Sequence, residues 1–298
     1  LKKLIYILVF IVTSCSTSKK ITMLTEQDKE SKSLKFPKAL TSTIHNGTVK
    51  KVQFIYPFQH IDAKLFCAGN EVALGAPQDG LATVYVSASR HKNTGSFWCE
   101  YRFVVNKIEK KVAVAKFNII DSKYPLRRLT VPKKYAKLDK ETIARWEKES
   151  AHTAKVYSSA IKDRALFDKP FVKPLNSKIT AIYGSKRVFN DMKNSWHSGV
   201  DFRARPGTKI PASNRGKVVL ARHHFFTGKT VILDHGMGIM TMYCHLSEFK
   251  VEEGDIVPQG GVLALSGNTG RSSGPHLHWG VRVNGHWVNG FSMLNEGI

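Results

Sequence analysis

His197-Ser198-Gly199-Val200-Asp201, taken with the distant run Gly274-Pro275-His276-Leu277-His278, decides how the C-terminal half of the chain is read. A histidine and an aspartate four apart could share one face of a helix. The glycine and valine between them, with Phe202 and Pro206 beyond, instead predict a turn entering a strand. His276 and His278 are two apart, so on a strand they project from one face. Two histidines and an aspartate on strands or strand entrances can converge on one tetrahedral ion with a position left open, and one histidine is left over. With 12 histidines in the chain neither motif alone would single out a site; their company in one glycine-rich region does.

That region begins near residue 171. It holds 17 of the 22 glycines among short apolar runs at 230–233, 240–243 and 277–283. Such punctuation predicts a tightly turning, mostly antiparallel β domain over 171–298. Upstream, 45–125 has period two: Phe97, Cys99, Tyr101, Phe103 and Val105 alternate with Trp98, Glu100, Arg102 and Val104. Gln78-Asp79-Gly80 and Asn93-Thr94-Gly95 mark turns, and a small antiparallel domain resembling an immunoglobulin sandwich is expected, with a positioning or shielding role. The intervening 126–170 reads as a helical connector. Asp139 is its N-cap, and Ile143, Trp146, Ala154, Tyr157 and Ile161 carry helical spacing toward Pro170. The fold class expected is therefore mainly β.

The N-terminus has a different character. Lys2-Lys3 precede nine apolar residues at 4–12, too few to span a bilayer, and then Thr13-Ser14-Cys15. The segment 1–14 reads as a secretory signal. Val12-Thr13-Ser14-Cys15 resembles a bacterial lipobox, which implies cleavage before Cys15 and a lipid on its sulfur. Residues 15–44, rich in Ser, Thr and Lys, read as a flexible tether. In an exported chain disulfides persist. Cys67 and Cys99 lie in one predicted domain on strand-like runs, and if they pair, the loop of about 30 residues contributes roughly 3–4 kcal/mol. Cys244 is expected to be a small buried residue and not a nucleophile.

The net charge of +23 is spread as +5 over 1–44, +11 over 45–170 and +7 over 171–298. Such a field favours anionic surroundings, here cell-wall polymers and lipid head groups. Nucleic acid is not expected as a partner, since no RNP, zinc-finger or basic-helix motif is present.

Tyr243-Cys244-His245-Leu246-Ser247 adds a further histidine. Two imidazoles then remain beyond those needed as ligands, the complement an open metal site requires for proton transfer and oxyanion stabilisation. In order along the chain stand Ile182-Tyr183-Gly184, His197-Ser198-Gly199-Val200-Asp201-Phe202, Pro206-Gly207-Thr208, Leu233-Asp234-His235-Gly236, Tyr243-Cys244-His245-Leu246, Ser266-Gly267-Asn268-Thr269-Gly270-Arg271 and Gly274-Pro275-His276-Leu277-His278-Trp279. This series resembles the catalytic domain of the lysostaphin-type zinc endopeptidases that cut peptidoglycan cross-links, over roughly 171–294. The resemblance implies one Zn2+ per chain held by His197, Asp201 and His278. It implies His276 as general base or acid, and His245 as a stabiliser of the transition state or a partner in proton transfer. Arg187 and Asn190, on the approach to His197, are expected to line the substrate groove. His235 is expected to hold a turn, His223 and His224 to be an exposed pair, and Asn268 and Arg271 to shape the loop before His276.

Peptidoglycan is thus the expected partner, and hydrolysis of D-Ala–diaminopimelate links is favoured over cutting of glycine bridges. Ser16 after the lipidated cysteine points to the periplasmic face of an outer membrane. The alternative is a non-catalytic wall-binding or amidase-activating relative, which would have lost ligand positions.

Overall fold

The computed structural model describes residues 7–9, 19–21, 38–56, 62–105, 107–129, 139–189 and 193–298. Cys15, Asn190 and most of the expected signal and tether lie outside these residues. Within that segment Ile7–Val9 pairs antiparallel with Lys19–Ile21.

Two layers form the N-terminal half. Strands β1 (Leu40–His45), β3 (Ala63–Cys67), β4 (Asn70–Val72), β6 (Ser96–Val105) and β7 (Ile108–Ile120) make one sheet in the order β1-β7-β6-β3-β4. Strands β2 (Val49–Ile55) and β5 (Leu81–Ser87) make the other. The period-two pattern becomes the core: Phe97, Cys99, Tyr101 and Phe103 are buried while Trp98 and Val104 stand exposed. They pack with Phe54, Val84 and Val86 of the second layer. All neighbours are antiparallel except β1 and β7, which run parallel. Cys67 and Cys99 form a disulfide. They face each other in register on β3 and β6, so the bond lies within one sheet, whereas an immunoglobulin disulfide joins two.

The connector is not wholly helical. Its first residues form β8 (Leu126–Leu129), which pairs parallel with β10 (Lys186–Phe189); β10 in turn pairs antiparallel with β11 (Lys193–Trp196). Helix α1 (Lys140–Ser158) follows, and the Asp139 carboxylate accepts the Thr142 amide at 2.7 Å as N-cap. The helix stops well before Pro170. The reason is tertiary: the Ile161 amide donates to Asp234 Oδ2 at 2.8 Å, and the Ile161 carbonyl accepts from Gly238 N at 2.8 Å. Those bonds tie the chain to a β-turn and forbid another helical turn.

The C-terminal half is built on one large sheet. Its main path is β9 (Ile179–Ala181), β12 (Gly199–Arg203), β14 (Gly216–His224), β15 (Gly228–Asp234), β16 (Ile239–Phe249), β17 (Ile256–Val257) and β19 (His276–Val283), ordered β9-β12-β19-β16-β15-β14-β17. Off that path, β13 (Lys209–Pro211) pairs with β18 (Val262–Ser266), which also pairs with β16, and β20 (His286–Val288) pairs with β19. One face buries Leu277, Trp279, Val281 and Val283 of β19 with Leu233, Ile239 and Tyr243. That core runs without a break into Val49, Ala73 and Tyr85 of the N-terminal half. The seam is also hydrogen-bonded. Asn284 accepts from the Ala73 amide at 3.0 Å and donates to the Tyr85 carbonyl at 2.8 Å, and the Ser87 hydroxyl donates to the Val283 carbonyl at 2.9 Å. The opposite face packs Leu220, Ile232, Met240, Met242 and Cys244 against Val156 and Tyr157 of α1.

His235 sits fully buried at the β15–β16 turn. Its Nδ1 donates to the Arg215 carbonyl at 2.8 Å, and its Nε2 accepts from the Thr241 hydroxyl at 2.7 Å. Burial without an acidic partner lowers its pKa to about 4. As pH falls, the unfolded chain therefore takes up this proton near 6.5 and the folded chain only near 4. Stability is lost across that window, by about 3 kcal/mol from this group at its lower end. Urea unfolding at pH 7 and pH 4.5 is expected to show His235→Gln as clearly destabilised at the higher pH, with the gap to the parent narrowing at the lower one.

Candidate active site

Asp201 stands in the middle of β12, directly opposite His278 on β19, and His197 closes the turn leading into β12. Three atoms meet there. His197 Nε2 is 2.9 Å from Asp201 Oδ1, His278 Nδ1 is 2.8 Å from the same oxygen, and the two nitrogens are 3.1 Å apart. All three residues are buried. The turn can reach this point because position 199 is glycine. A Cβ there would come within 2.3 Å of the Trp279 carbonyl and 2.8 Å of His278 Nε2.

The set fits a tetrahedral cation. Ligand atoms about 2.0–2.1 Å from a zinc-type ion stand roughly 3.3 Å from one another, close to the spacing seen, and a two-histidine, one-carboxylate donor set suits such an ion with an open position. His197 Nδ1 donates to the Ile182 carbonyl at 2.8 Å, which fixes the ring and leaves Nε2 as the ligating nitrogen. Burial opposes ionisation of Asp201. Hydrogen bonds and charge from His197 and His278 outweigh it and hold the carboxyl far below the usual carboxylate range. Burial in turn lowers the His278 pKa against the opposing pull of Asp201, which favours the neutral form that ligation requires.

His245 and His276 border the cluster, their ring centroids 4.7 Å apart. His276 Nδ1 donates to the Gly274 carbonyl at 2.8 Å with Ser272 Oγ at 3.2 Å, and its Nε2 lies 3.7 Å from Asp201 Oδ1. His245 Nδ1 donates to the Thr269 carbonyl at 2.9 Å. Both rings therefore keep Nε2 as the available nitrogen. Burial brings the His245 pKa down to about 4, against the opposing pull of the Thr269 carbonyl, so the ring is neutral at neutral pH. Its backbone is in the left-handed region at φ +61°, which costs a non-glycine residue about 1–2 kcal/mol. The Thr227 carbonyl, accepting the His245 amide at 2.9 Å, holds it there.

The remaining expectations divide. Arg187 lies on β10 opposite Ser195 of β11, the hairpin that delivers His197, while Asn190 falls outside the described residues. Cys244 is buried beside His278 in the register, and burial raises its thiol to about 12, so it is unreactive. His223 and His224 end β14, but only His223 is exposed; His224 is half-buried, and His235 holds its turn. Sequence reasoning does not find the supporting carbonyls of Ile182, Thr227 and Thr269. The Thr269 run signals only a glycine-bracketed loop, and backbone acceptors leave no mark in residue type.

Residues 195–290 match peptidase family M23. Over 119 residues, 39% of the chain, the sequence is 45% identical to peptidoglycan DD-endopeptidase ShyA of Vibrio cholerae and 36% identical to DD-carboxypeptidase/endopeptidase Mpg of Neisseria meningitidis. The match spans 28% and 27% of those two proteins, less than a third of their length. A Pseudomonas aeruginosa crystal structure, provisionally described as a peptidase M23, aligns with 84% of this chain and 95% of its own at 26% identity and a TM-score of 0.63. Both halves of the fold thus recur together in that protein.

The cluster is expected to bind one divalent transition-metal ion per chain. Competition against a chromogenic chelator should show His278→Ala and Asp201→Asn lowering the affinity on the order of 100-fold or more, with His235→Gln near the parent value.

Proposed function

We propose that this chain, whose C-terminal domain belongs to peptidase family M23, is a zinc-dependent endopeptidase that hydrolyses peptide cross-links of peptidoglycan during wall remodelling. The observation that carries the reading is the meeting of His197, Asp201 and His278 within hydrogen-bonding distance, with two further imidazoles beside them. His197, Asp201 and His278 would hold the ion. When bound, zinc supplies a water acidified to a pKa of about 7 and an electrophile for the scissile carbonyl.

The chain's own groups do the rest. His245 and His276 each commit Nδ1 to a backbone carbonyl, so Nε2 of either ring can take the proton released by the attacking water and return it to the leaving amine. The imidazolium so formed then stabilises the developing oxyanion. Asp201, ionised throughout, adds charge to the ligand set and neutralises part of the cation.

DD-endopeptidase action on D-Ala–diaminopimelate links is favoured over cutting of glycine bridges, supported by the two curated relatives named for DD activity. A non-catalytic wall-binding or amidase-activating role requires loss from the ligand or imidazole set; all five residues are present. In solution the zinc-loaded protein is expected to convert cross-linked muropeptides of isolated sacculi to monomers, read by mass spectrometry. Chelation or Asp201→Asn should stop it, and intact cross-links after incubation with zinc-loaded protein would overturn the reading.

Export and anchoring through Cys15 at the periplasmic face of an outer membrane complete the proposal. They are supported by the apolar run at 4–12 followed by Thr13-Ser14-Cys15. Metabolic labelling with a fatty acid is expected to mark the protein in the membrane fraction, and Cys15→Ser to abolish the label.

A further inference from the structure

The face of β19 that carries His276 and His278 continues to Gly280 and then Arg282. At roughly 3.3 Å per residue, the Cα of Arg282 lies about 13 Å from that of His278 along the strand. A cavity of about 720 Å³ is lined by Arg282 and extends to Ser198 and Thr227; none of His197, Asp201, His245, His276 and His278 lines it. Ser198, next to His197, and Thr227, whose carbonyl holds His245, line it near the metal cluster. Met242 and Arg282 line it from the sheet, and Trp146 and Tyr157 of α1 from the other side.

Arg282 is a half-buried cation without a carboxylate partner among the described residues; its interactions are with rings. Its guanidinium carbon lies 4.2 Å from the Tyr157 ring centroid and 6.0 Å from that of Trp287. The two acidic residues lining the same cavity are already engaged. Glu149 binds Arg145 Nε and the Phe225 amide, each at 2.8 Å, and Glu71 pairs with Lys64 at 3.7 Å. An aromatic-walled cavity that reaches the neighbours of His197 and His245 therefore presents one guanidinium whose planar fork is free to take an anion. Ring stacking pins that fork and leaves its N–H edge for bidentate pairing.

We propose that this cavity is a substrate subsite in which Arg282 pairs with a carboxylate of the stem peptide flanking the cross-link. The proposal rests on the endopeptidase reading above. Stem peptides linked through diaminopimelate carry free carboxylates within a few residues of the scissile bond, a distance that matches the strand path from His278 to Arg282. Helix α1 thereby becomes part of the specificity apparatus, since Trp146 and Tyr157 supply a wall that the sheet lacks.

Binding tests this apart from catalysis. A fluorescent stem tetrapeptide ending in diaminopimelate–D-Ala, with its side carboxylates either free or amidated, is titrated into the full chain. The free form is expected to bind about tenfold tighter than the amide. Arg282→Met should bind the two forms equally and weakly, while Arg282→Lys should keep part of the preference. A guanidinium that only clamps α1 would leave the preference unmoved. Should Arg282→Met not fold, the comparison of the two peptides on the parent protein decides alone. Equal affinities there, no binding of either peptide, or a preference that persists in folded Arg282→Met overturns the subsite. Sacculi left uncut by a protein that still prefers the free carboxylates would instead refute the endopeptidase reading alone.

Discussion

Three ligand atoms, two from neighbouring strands and one from the turn before β12, have to meet at one point, and the antiparallel register of β12 with β19 makes them meet. Asp201 stands opposite His278, and the turn before β12 brings His197 to the same spot. A slip of one residue would turn every side chain of β19 to the other face of the sheet. The register is held by what lies beneath. Leu277, Trp279, Val281 and Val283 are fully buried on the core face. Each such side chain removed from water is worth about 1.5–3 kcal/mol. The alternation that buries the core is thus the same alternation that presents His276, His278 and Arg282 above it.

Around the ligands the structure spends stability on orientation. His245 sits in a left-handed backbone conformation, and its Nδ1, like those of His197 and His276, is committed to a main-chain carbonyl. Three tautomers are set in this way without a second carboxylate. Among these groups the Asp201 carboxylate carries a charge that two imidazoles stabilise despite its burial. An arrangement of this kind needs little reorganisation when charge develops.

The two halves of the chain share one core and a hydrogen-bonded seam, so the N-terminal sandwich is docked firmly onto the large C-terminal sheet. Arg90 reinforces the contact, with its guanidinium 5.7 Å from the Tyr183 ring and 5.8 Å from that of Trp196. The connecting segment does more than span the gap. One part adds a strand beside the hairpin that delivers His197, and helix α1 lies on the face of the sheet that carries the imidazoles.

Local chemistry was legible in the residues. The period-two runs, the Asp139 cap, the strand entrance at Gly199 and the paired histidines of β19 each depend on near neighbours, and each appears where the sequence places it. Backbone partners were not legible. The end of α1 at Ser158 follows from hydrogen bonds to Asp234 and Gly238, more than 70 positions away, and the pairing of Leu126–Leu129 with Lys186–Phe189 crosses a similar gap. The left-handed turn at His245 is invisible because a histidine there carries no glycine-like signal. The sequence by itself determined which side chains could bind a metal and move protons, because ligand identity is a property of residue type. Tertiary structure alone decided which nitrogen of each ring faces the site, and that Arg282 and α1 line one cavity with Ser198 and Thr227. Those outcomes depend on carbonyls and rings that only folding brings within reach.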